Sequence, residues 1–595
     1  MAEGMRDTYP QSVNWNEYKD TVEKMKKKFV FADESKAISF ARTFCYRVVR
    51  YVWRNVDYRK KWDCRQLKFD EIELDFSSLC LAKEIAEYFT SLNIMEYAYL
   101  MGNLYTMLLP DSYRSDNGIY YTPPSLAERL LDILAAEGAD WAKAEILDPA
   151  CGGGAFLVTV ASRVLGDYRI REMSAEEKLF HLDNHLAGVE FDKFAALLTQ
   201  CLLDIIVYPE SVIAGRRLKP LIKIRDTVRY ALKEKRQFDV IVGNPPYGKV
   251  KLDNNIREKY ARSLYGHANL YGLFIDASVR LMKPDGLLGF VTPTSFLGGK
   301  YFSNLRNFLS ETVPPLDIDF LSMRNGVFDQ VLQETCLVVF GSNPTQMMTA
   351  SKINVETDLY NVDRIGSFKI EKGAGPWIIA REAAEAKIIS GVKDIGTTIE
   401  DYGYKVSTGQ LVWNRLKDQI FEKKKAGVKP IIWAEAITTA GKFDFNYTYR
   451  KEKKYVKITD KQKFLVCNKS AVLVQRTTAK EQKRRLQTCV LPQGFIDKWG
   501  GVVVENHVNI IHPMSEGPKV SLEAISLLLN STSVDRIFRC LSGSVAVSAS
   551  ELHALPLPPV ENLDELEEYV FHIRHNQFDV GTLEQIILRA YEIEE

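Results

Sequence analysis

The chain has 595 residues, 46% of them hydrophobic and 26% charged, which is enough apolar material for several packed cores. No apolar run approaches the roughly 18 residues that span a bilayer, and the composition excludes a collagen-like fibre and a disordered tail. The net charge of +1 hides an asymmetry, because residues 401–500 hold 22 Lys and Arg against 9 Asp and Glu, a local excess of +13.

The opening MAEGMRDTYPQS is acidic and polar where a secretory signal has a basic and then an apolar stretch, so a cytoplasmic protein is expected. Nine cysteines (45, 64, 80, 151, 201, 336, 467, 489 and 540) are scattered without any C-x-x-C pair, as expected of reduced thiols. His181 and His185 stand at helical spacing but lack the glutamate of H-E-x-x-H, so they read as an ordinary helix face and no metal site is expected.

Residues 1–115 show apolar positions at helical spacing in AISFARTFCYRVVRYVWR, LAKEIAEYFTSL and EYAYLMGNLY, predicting a helical N-terminal domain. Between Arg42 and Lys68, nine Lys and Arg mix with Tyr51, Trp53, Tyr58 and Trp62. That mixture fits a nucleic-acid surface, and equally a helix that packs its aromatics inward and lets its cations snorkel outward.

From about residue 116, short β-branched runs alternate with helical stretches: AEILDPA, HLAGVEFD, LIKIRD, FDVIVGNPP, GLLGFVTP and TCLVVF. This alternation predicts a doubly wound, Rossmann-like α/β sheet, in which ligands bind at the carboxyl ends of the strands. The first run ends in Asp148-Pro-Ala150-Cys-Gly152-Gly-Gly154, where glycines let the backbone approach a ligand closely. Glu190 ends the second run, where a carboxylate can take both hydroxyls of a ribose. Its distance from the glycines implies an inserted helical segment near residues 165–185. Asp226 ends the third run, placed to accept from the exocyclic amine of a purine.

The fourth run ends in Asn244-Pro245-Pro246-Tyr247. Two prolines fix the backbone so that the Asn244 side-chain oxygen and the Pro245 carbonyl can face one small site. Two acceptors facing an NH2 group hold both of its protons and favour rehybridisation, which frees the nitrogen lone pair for attack. Tyr247 offers a flat face on which a heterocyclic base can stack.

With these motifs in this order the sequence resembles the gamma-class N6-adenine DNA methyltransferases, of the TaqI type found in restriction-modification systems. The resemblance covers residues 116–345 well and 395–560 more loosely. It implies S-adenosylmethionine as cofactor, double-stranded DNA as substrate, base flipping, and in some systems a cognate restriction endonuclease acting on the same site. It further implies that Tyr121, Thr122 and Pro123 close over the methionine end of the cofactor. Asp148, Ala150, Gly152 and Gly154 are similar to its loop, Glu190 to its ribose ligand and Asp226 to its adenine ligand. Phe274 resembles a cofactor-packing aromatic, and Phe328 an aromatic against the extruded base.

The chain thus reads as the helical domain 1–115, a catalytic domain 116–375 and a DNA target-recognition domain 376–560 of α+β type, the two that the resemblance implies, and an acidic helical segment 561–595. In the third of these, Arg476, Lys480, Lys483, Arg484 and Arg485 are expected to contact DNA. A monomer and a homodimer both fit, and no membrane contact is expected.

Other readings use parts of the same pattern. N4-cytosine methylation shares the geometry but more often begins its tetrapeptide with Ser. Protein-glutamine methyltransferases share Asn-Pro-Pro-Tyr but lack a basic C-terminal domain. A fused nuclease would have to use Glu34-Ser-Lys36, which has no convincing preceding Asp, and a non-catalytic subunit sits badly with an intact tetrapeptide.

Overall fold

Five helices open the computed structural model, which describes residues 15–29, 33–57, 59–117, 122–322, 334–356, 359–392, 395–446, 453–477, 484–514, 517–541, 546–573 and 579–593. They are α1 (Trp15–Lys28), α2 (Glu34–Val56), α3 (Phe76–Thr90), α4 (Ile94–Leu108) and α5 (Asp111–Asn117). Asp33, Asp75 and Asn93 cap α2, α3 and α4 by accepting from backbone amides in the first turn, which satisfies donors that a helix start leaves unpaired. Phe40, Phe44, Val48 and Val52 line the buried face of α2 at the spacing seen in the sequence.

These helices do not stand apart. Their buried side chains form one core with Leu130, Val160, Leu198 and Val240, which belong to the helices and strands that follow. Two of the cations of residues 42–68, Arg42 and Arg65, point into that junction, while Arg54, Arg59, Lys60, Lys61 and Lys68 are exposed. Arg42 pairs with Asp192, and Arg65 makes a two-pronged contact with Asp204, Nε to Oδ2 at 2.5 Å and Nη2 to Oδ1 at 2.9 Å. Arg217 also reaches Asp204 and lies 4.9 Å from the centre of the Trp53 ring.

The central sheet has nine strands: β1 (Ile146–Asp148), β2 (Leu186–Glu190), β3 (Ile222–Ile224), β4 (Phe238–Gly243), β7 (Met282–Pro293), β8 (Pro315–Leu321), β9 (Thr335–Phe340), β10 (Met347–Glu356) and β11 (Leu359–Lys369). A two-stranded ribbon, β5 (Lys249–Val250) and β6 (Ala268–Asn269), follows β4. The sheet order is β11-β10-β8-β9-β7-β4-β1-β2-β3. From β3 to β7 all neighbours are parallel, and β9 enters antiparallel between β7 and β8. Every residue of β9 is buried, which explains the unbroken apolar run TCLVVF.

The crossovers are α6 (Pro124–Ala136), α7 (Ala155–Gly166), α8 (Tyr168–Arg171), α9 (Ala175–His185), α10 (Lys193–Ile206), α11 (Tyr208–Ala214), α12 (Thr227–Tyr230), α13 (Asn254–Lys259) and α14 (Leu270–Leu281). Helices α8 and α9 are the segment inserted before Glu190. Among the described residues no single helix is long and apolar enough to cross a membrane.

Beyond residue 400 the chain forms β12 (Tyr404–Thr408), β13 (Ile420–Phe421), β14 (Val428–Ile432), β15 (Tyr455–Lys457), β16 (Val466–Cys467), β17 (Ala471–Gln475), β18 (Thr488–Leu491), β19 (Val502–Val504) and β20 (Val508–Pro513). They make a four-stranded sheet, β12-β20-β17-β18, and a five-stranded sheet, β13-β15-β14-β19-β16. Two helices, the acidic Asp564–Ile573 and the charge-balanced Val580–Ala590, close the described chain and bury Leu566 and Ile587 in a core that runs on to the second face of the central sheet.

Candidate active site

All the strand ends singled out in the sequence meet at one edge of the central sheet. After β1 the chain turns through Gly152 (φ 49°) and Gly154 (φ 90°), both in the left-handed region that glycine enters without strain. A Cβ at Gly154 would also lie 3.2 Å from the Thr199 side chain. The turn is held on both sides, as Thr199 Oγ1 donates to the Gly152 carbonyl at 2.6 Å and the Gly152 amide donates to Glu190 Oε2 at 2.9 Å. The other Glu190 oxygen accepts from the Asp192 amide at 2.8 Å.

Asp148 accepts from the Ala150 amide at 3.0 Å and is buried. A Cβ on Gly243, which ends β4, would sit 2.7 Å from Asp148 Oδ1, so only glycine lets the two strand ends lie side by side. Burial pushes the Asp148 carboxyl up to about 8, against the Ala150 amide and with nearby Glu190 adding to the rise. Glu190 is pushed up to about 7, again by burial, although backbone amides oppose the shift. Asp226 caps α12 through the Val228 amide at 3.0 Å.

These groups surround a cavity of about 360 Å³. Among the described residues its wall holds four carboxylates, Asp148, Glu190, Asp192 and Asp226, and no lysine or arginine. Phe191, Val228, Pro246 and Phe274 supply apolar surface. A wall without lysine or arginine offers no cation to pair with the phosphates of a dinucleotide or nucleoside triphosphate, and its carboxylates suit the hydroxyls and amine of a nucleoside. The size suits one nucleoside with a short tail.

Asn244 stands at the mouth. Its Nδ2 donates to Thr122 Oγ1 at 3.1 Å, and its Oδ1 accepts from the Tyr247 hydroxyl at 2.8 Å. That hydroxyl also lies 3.2 Å from the Val291 carbonyl on β7, and the Tyr247 ring meets Tyr271 edge-on with centroids 6.1 Å apart. The amide plane of Asn244 is therefore set from both ends. One lone pair of Oδ1 is used by Tyr247, and a second remains for a ligand.

Of the expected cofactor and catalytic residues, Thr122, Asp148, Ala150, Gly152, Glu190, Asp226, Asn244, Pro246 and Phe274 line the cavity. Pro123, Gly154, Pro245 and Tyr247 are not part of this lining, although each adjoins a residue that is or bonds to one. Tyr121 and Phe328 lie outside the described residues, as do Lys480 and Lys483. Sequence reasoning missed Phe191, Asp192, Tyr105 and Tyr113, which also line the cavity. Phe191 had a signal, since a large apolar residue beyond the end of a strand is 71% exposed here. The two tyrosines, far away in sequence, had none.

Of the expected DNA contacts, Arg485 needs correction. Arg485 is buried at 5% exposure, with its backbone amide on Asp535 Oδ1 at 2.6 Å, so it is not on the surface where phosphates bind. Arg484 donates to the carbonyls of Asn530 and Thr439, and Arg476 to that of Asn506 at 3.1 Å. Through these bonds Arg476 and Arg484 brace the ends of β17 and β18. Exposed positive charge gathers instead around the five-stranded sheet. There Lys425 Nζ lies 4.1 Å from the centre of the Phe421 ring, Lys453 Nζ 3.5 Å from Trp413 and Lys424 Nζ 4.5 Å from Trp499.

Fold and cavity together are those of a Rossmann-like, doubly wound α/β protein with a nucleoside-sized site at the carboxyl ends of its strands. Residues 174–328 match the Eco57I restriction-modification methylase family. The type II methyltransferase M.BsuBI of Bacillus subtilis is 26% identical over 493 residues, covering 80% of this chain and 95% of that protein. The type II methyltransferase M.PstI of Providencia stuartii is 25% identical over 361 residues, 59% of this chain and 69% of that protein. Among solved structures, the type IIL restriction-modification enzyme MmeI in complex with DNA shares the fold, with a TM-score of 0.55 at 14% identity over 98% of this chain and 97% of that one. The chain is thus related to the methyltransferases of restriction-modification systems.

Proposed function

We propose that this protein is a site-specific DNA adenine N6-methyltransferase that uses S-adenosylmethionine, and that it serves as the modification enzyme of a restriction-modification system in the cytoplasm. The observation that carries this reading is Asn244, fixed by Thr122 and Tyr247 at the mouth of an acidic, nucleoside-sized cavity. When bound, S-adenosylmethionine supplies an electrophilic methyl group on a positively charged sulfur.

In this reading Glu190 holds the ribose hydroxyls, Asp226 accepts from the adenine amine, and Phe274 and Phe191 pack against the cofactor base. Ala155 and Phe156 at the start of α7 line the cavity, and the amides there would suit the cofactor's carboxylate. A target adenine stacked in duplex DNA cannot reach Asn244, so the base is flipped out, at a cost of a few kcal/mol that stacking on Tyr247 partly offsets. The open lone pair of Asn244 Oδ1 and the Pro245 carbonyl accept the two N6 hydrogens. The nitrogen lone pair would then be free to attack the methyl carbon; as the N–C bond formed the S–C bond would break, its electron pair staying on the sulfur of S-adenosylhomocysteine, and the methylated ammonium would afterwards lose its proton to water. No general base acts before attack, and Cys151, buried beneath the cofactor loop, has no part in the transfer.

The test is to incubate the purified chain with S-adenosylmethionine and mixed-sequence DNA, digest to nucleosides and analyse by mass spectrometry. N6-methyldeoxyadenosine is expected. N4-methyldeoxycytidine would keep the mechanism and change the substrate, and the absence of both products would overturn the reading.

A further inference from the structure

The N-terminal helices reach into the candidate cofactor site. Asp192, two residues past Glu190, has a side chain only 8% exposed, and four groups converge on it. Tyr105 of α4 donates its hydroxyl to Oδ2 at 2.9 Å, and Tyr113 of α5 lies 3.4 Å from the same oxygen. Arg42 of α2 places Nη2 at 3.3 and 3.4 Å from the two oxygens, and the Phe194 amide donates to Oδ1 at 2.7 Å. Arg42 Nε also reaches the Tyr105 hydroxyl at 3.4 Å. The backbone amide of this same Asp192 donates to Glu190 Oε1.

An aspartate that only capped α10 would need the Phe194 amide and no more. Here three side chains from three N-terminal helices hold it, and Tyr105 and Tyr113 themselves line the cavity beside it. The geometry points to Arg42, Tyr105 and Tyr113 as positioning residues for the cofactor's ribose. They fix Asp192, which fixes the Glu190 carboxylate, so that the N-terminal helices complete the cofactor site. This inference rests on the reading of the cavity as an S-adenosylmethionine site.

A neighbouring contact provides the control. Arg65 grips Asp204 of the same helix α10, but Asp204 does not line the cavity. Any general loosening of the N-terminal helices from α10 would follow from changing either arginine.

The experiment is isothermal titration of S-adenosylhomocysteine and its 2′-deoxy analogue into the full-length wild type and the Tyr105→Phe, Arg42→Lys and Arg65→Lys variants, with steady-state methylation alongside. Loss of a hydrogen bond to a charged group predicts about a tenfold weaker S-adenosylhomocysteine affinity in Tyr105→Phe. KM for the cofactor should rise in parallel, with kcat within about twofold. The wild type should prefer the ribose form over the 2′-deoxy form, and that preference should shrink in Tyr105→Phe and Arg42→Lys but persist in Arg65→Lys. An unchanged preference in both of the first two variants, or an equal loss in Arg65→Lys, would overturn the inference. Failure of the wild type to bind S-adenosylhomocysteine would instead overturn the underlying reading, and this inference with it.

Discussion

The side-chain amide of Asn244 donates to the hydroxyl of Thr122, a residue 122 positions earlier in the chain, at 3.1 Å. Thr122 is buried and directly precedes the turn into α6, so the start of that helix sets the orientation of the proposed catalytic amide. Thr122→Val keeps the shape and removes the acceptor. It should lower kcat about tenfold, in line with a hydrogen bond lost around a reacting group, with little change in DNA affinity. Asn244→Ala should abolish transfer while DNA binding persists. Single-turnover methylation and gel-shift titration measure both.

Tyr247 combines two roles that substitution can separate. Tyr247→Phe keeps the ring and loses the hydroxyl that holds Asn244 Oδ1, whereas Tyr247→Ala loses both. The phenylalanine variant should lose a few-fold in kcat with unchanged flipping, monitored by 2-aminopurine fluorescence at the target position. The alanine variant should lose the fluorescence change as well, through about 1–3 kcal/mol of stacking.

The cavity carboxylates give a pH dependence of definite sign. Asp148 and Glu190 are pushed up to about 8 and about 7, above the values near 4 expected in the unfolded chain. The fold therefore favours their protonated forms, and stability of the cofactor-free protein should fall as pH rises from about 4 towards 8. A cationic ligand needs the ionised forms, so its affinity should rise over the upper part of this range. Thermal unfolding at pH 6 to 8.5, with and without S-adenosylmethionine, should show a stabilising shift that grows with pH. In Asp148→Asn that growth should be reduced.

The cations around the five-stranded sheet should carry the electrostatic part of DNA binding. Each phosphate contact contributes a salt slope of about −0.9, so replacing Lys423, Lys424 and Lys425 together with alanine should reduce the slope by roughly 2 to 3. Arg485→Ala should leave the slope unchanged and lower the melting temperature, because that side chain is buried. Affinities measured between 50 and 200 mM salt distinguish the two.

The alternation of β-branched runs with helical stretches made the central sheet legible, because each run carries its own hydrophobic pattern and its own chemistry at the carboxyl end. Asp148, Glu190, Asp226 and Asn244 could be picked out because a polar residue ending a buried strand is a local event. Tyr105 and Tyr113 could not, since their approach to the cavity depends on how α4 and α5 pack across α10. The opposite failure befell Arg485. In a run of basic residues each looks alike, and only packing shows which one is buried. The antiparallel entry of β9 was likewise hidden, as an unbroken apolar strand carries no mark of its direction.

The first five helices bury Phe44, Leu81 and Leu104 in a core completed by Leu198 and Val240. Those partners are made later on the ribosome. As the chain emerges, α1 to α5 must wait with their apolar faces uncovered until β4 has followed them out. The growing polypeptide thus passes through an interval of aggregation risk in which a chaperone that shields its leading segment has the most to offer.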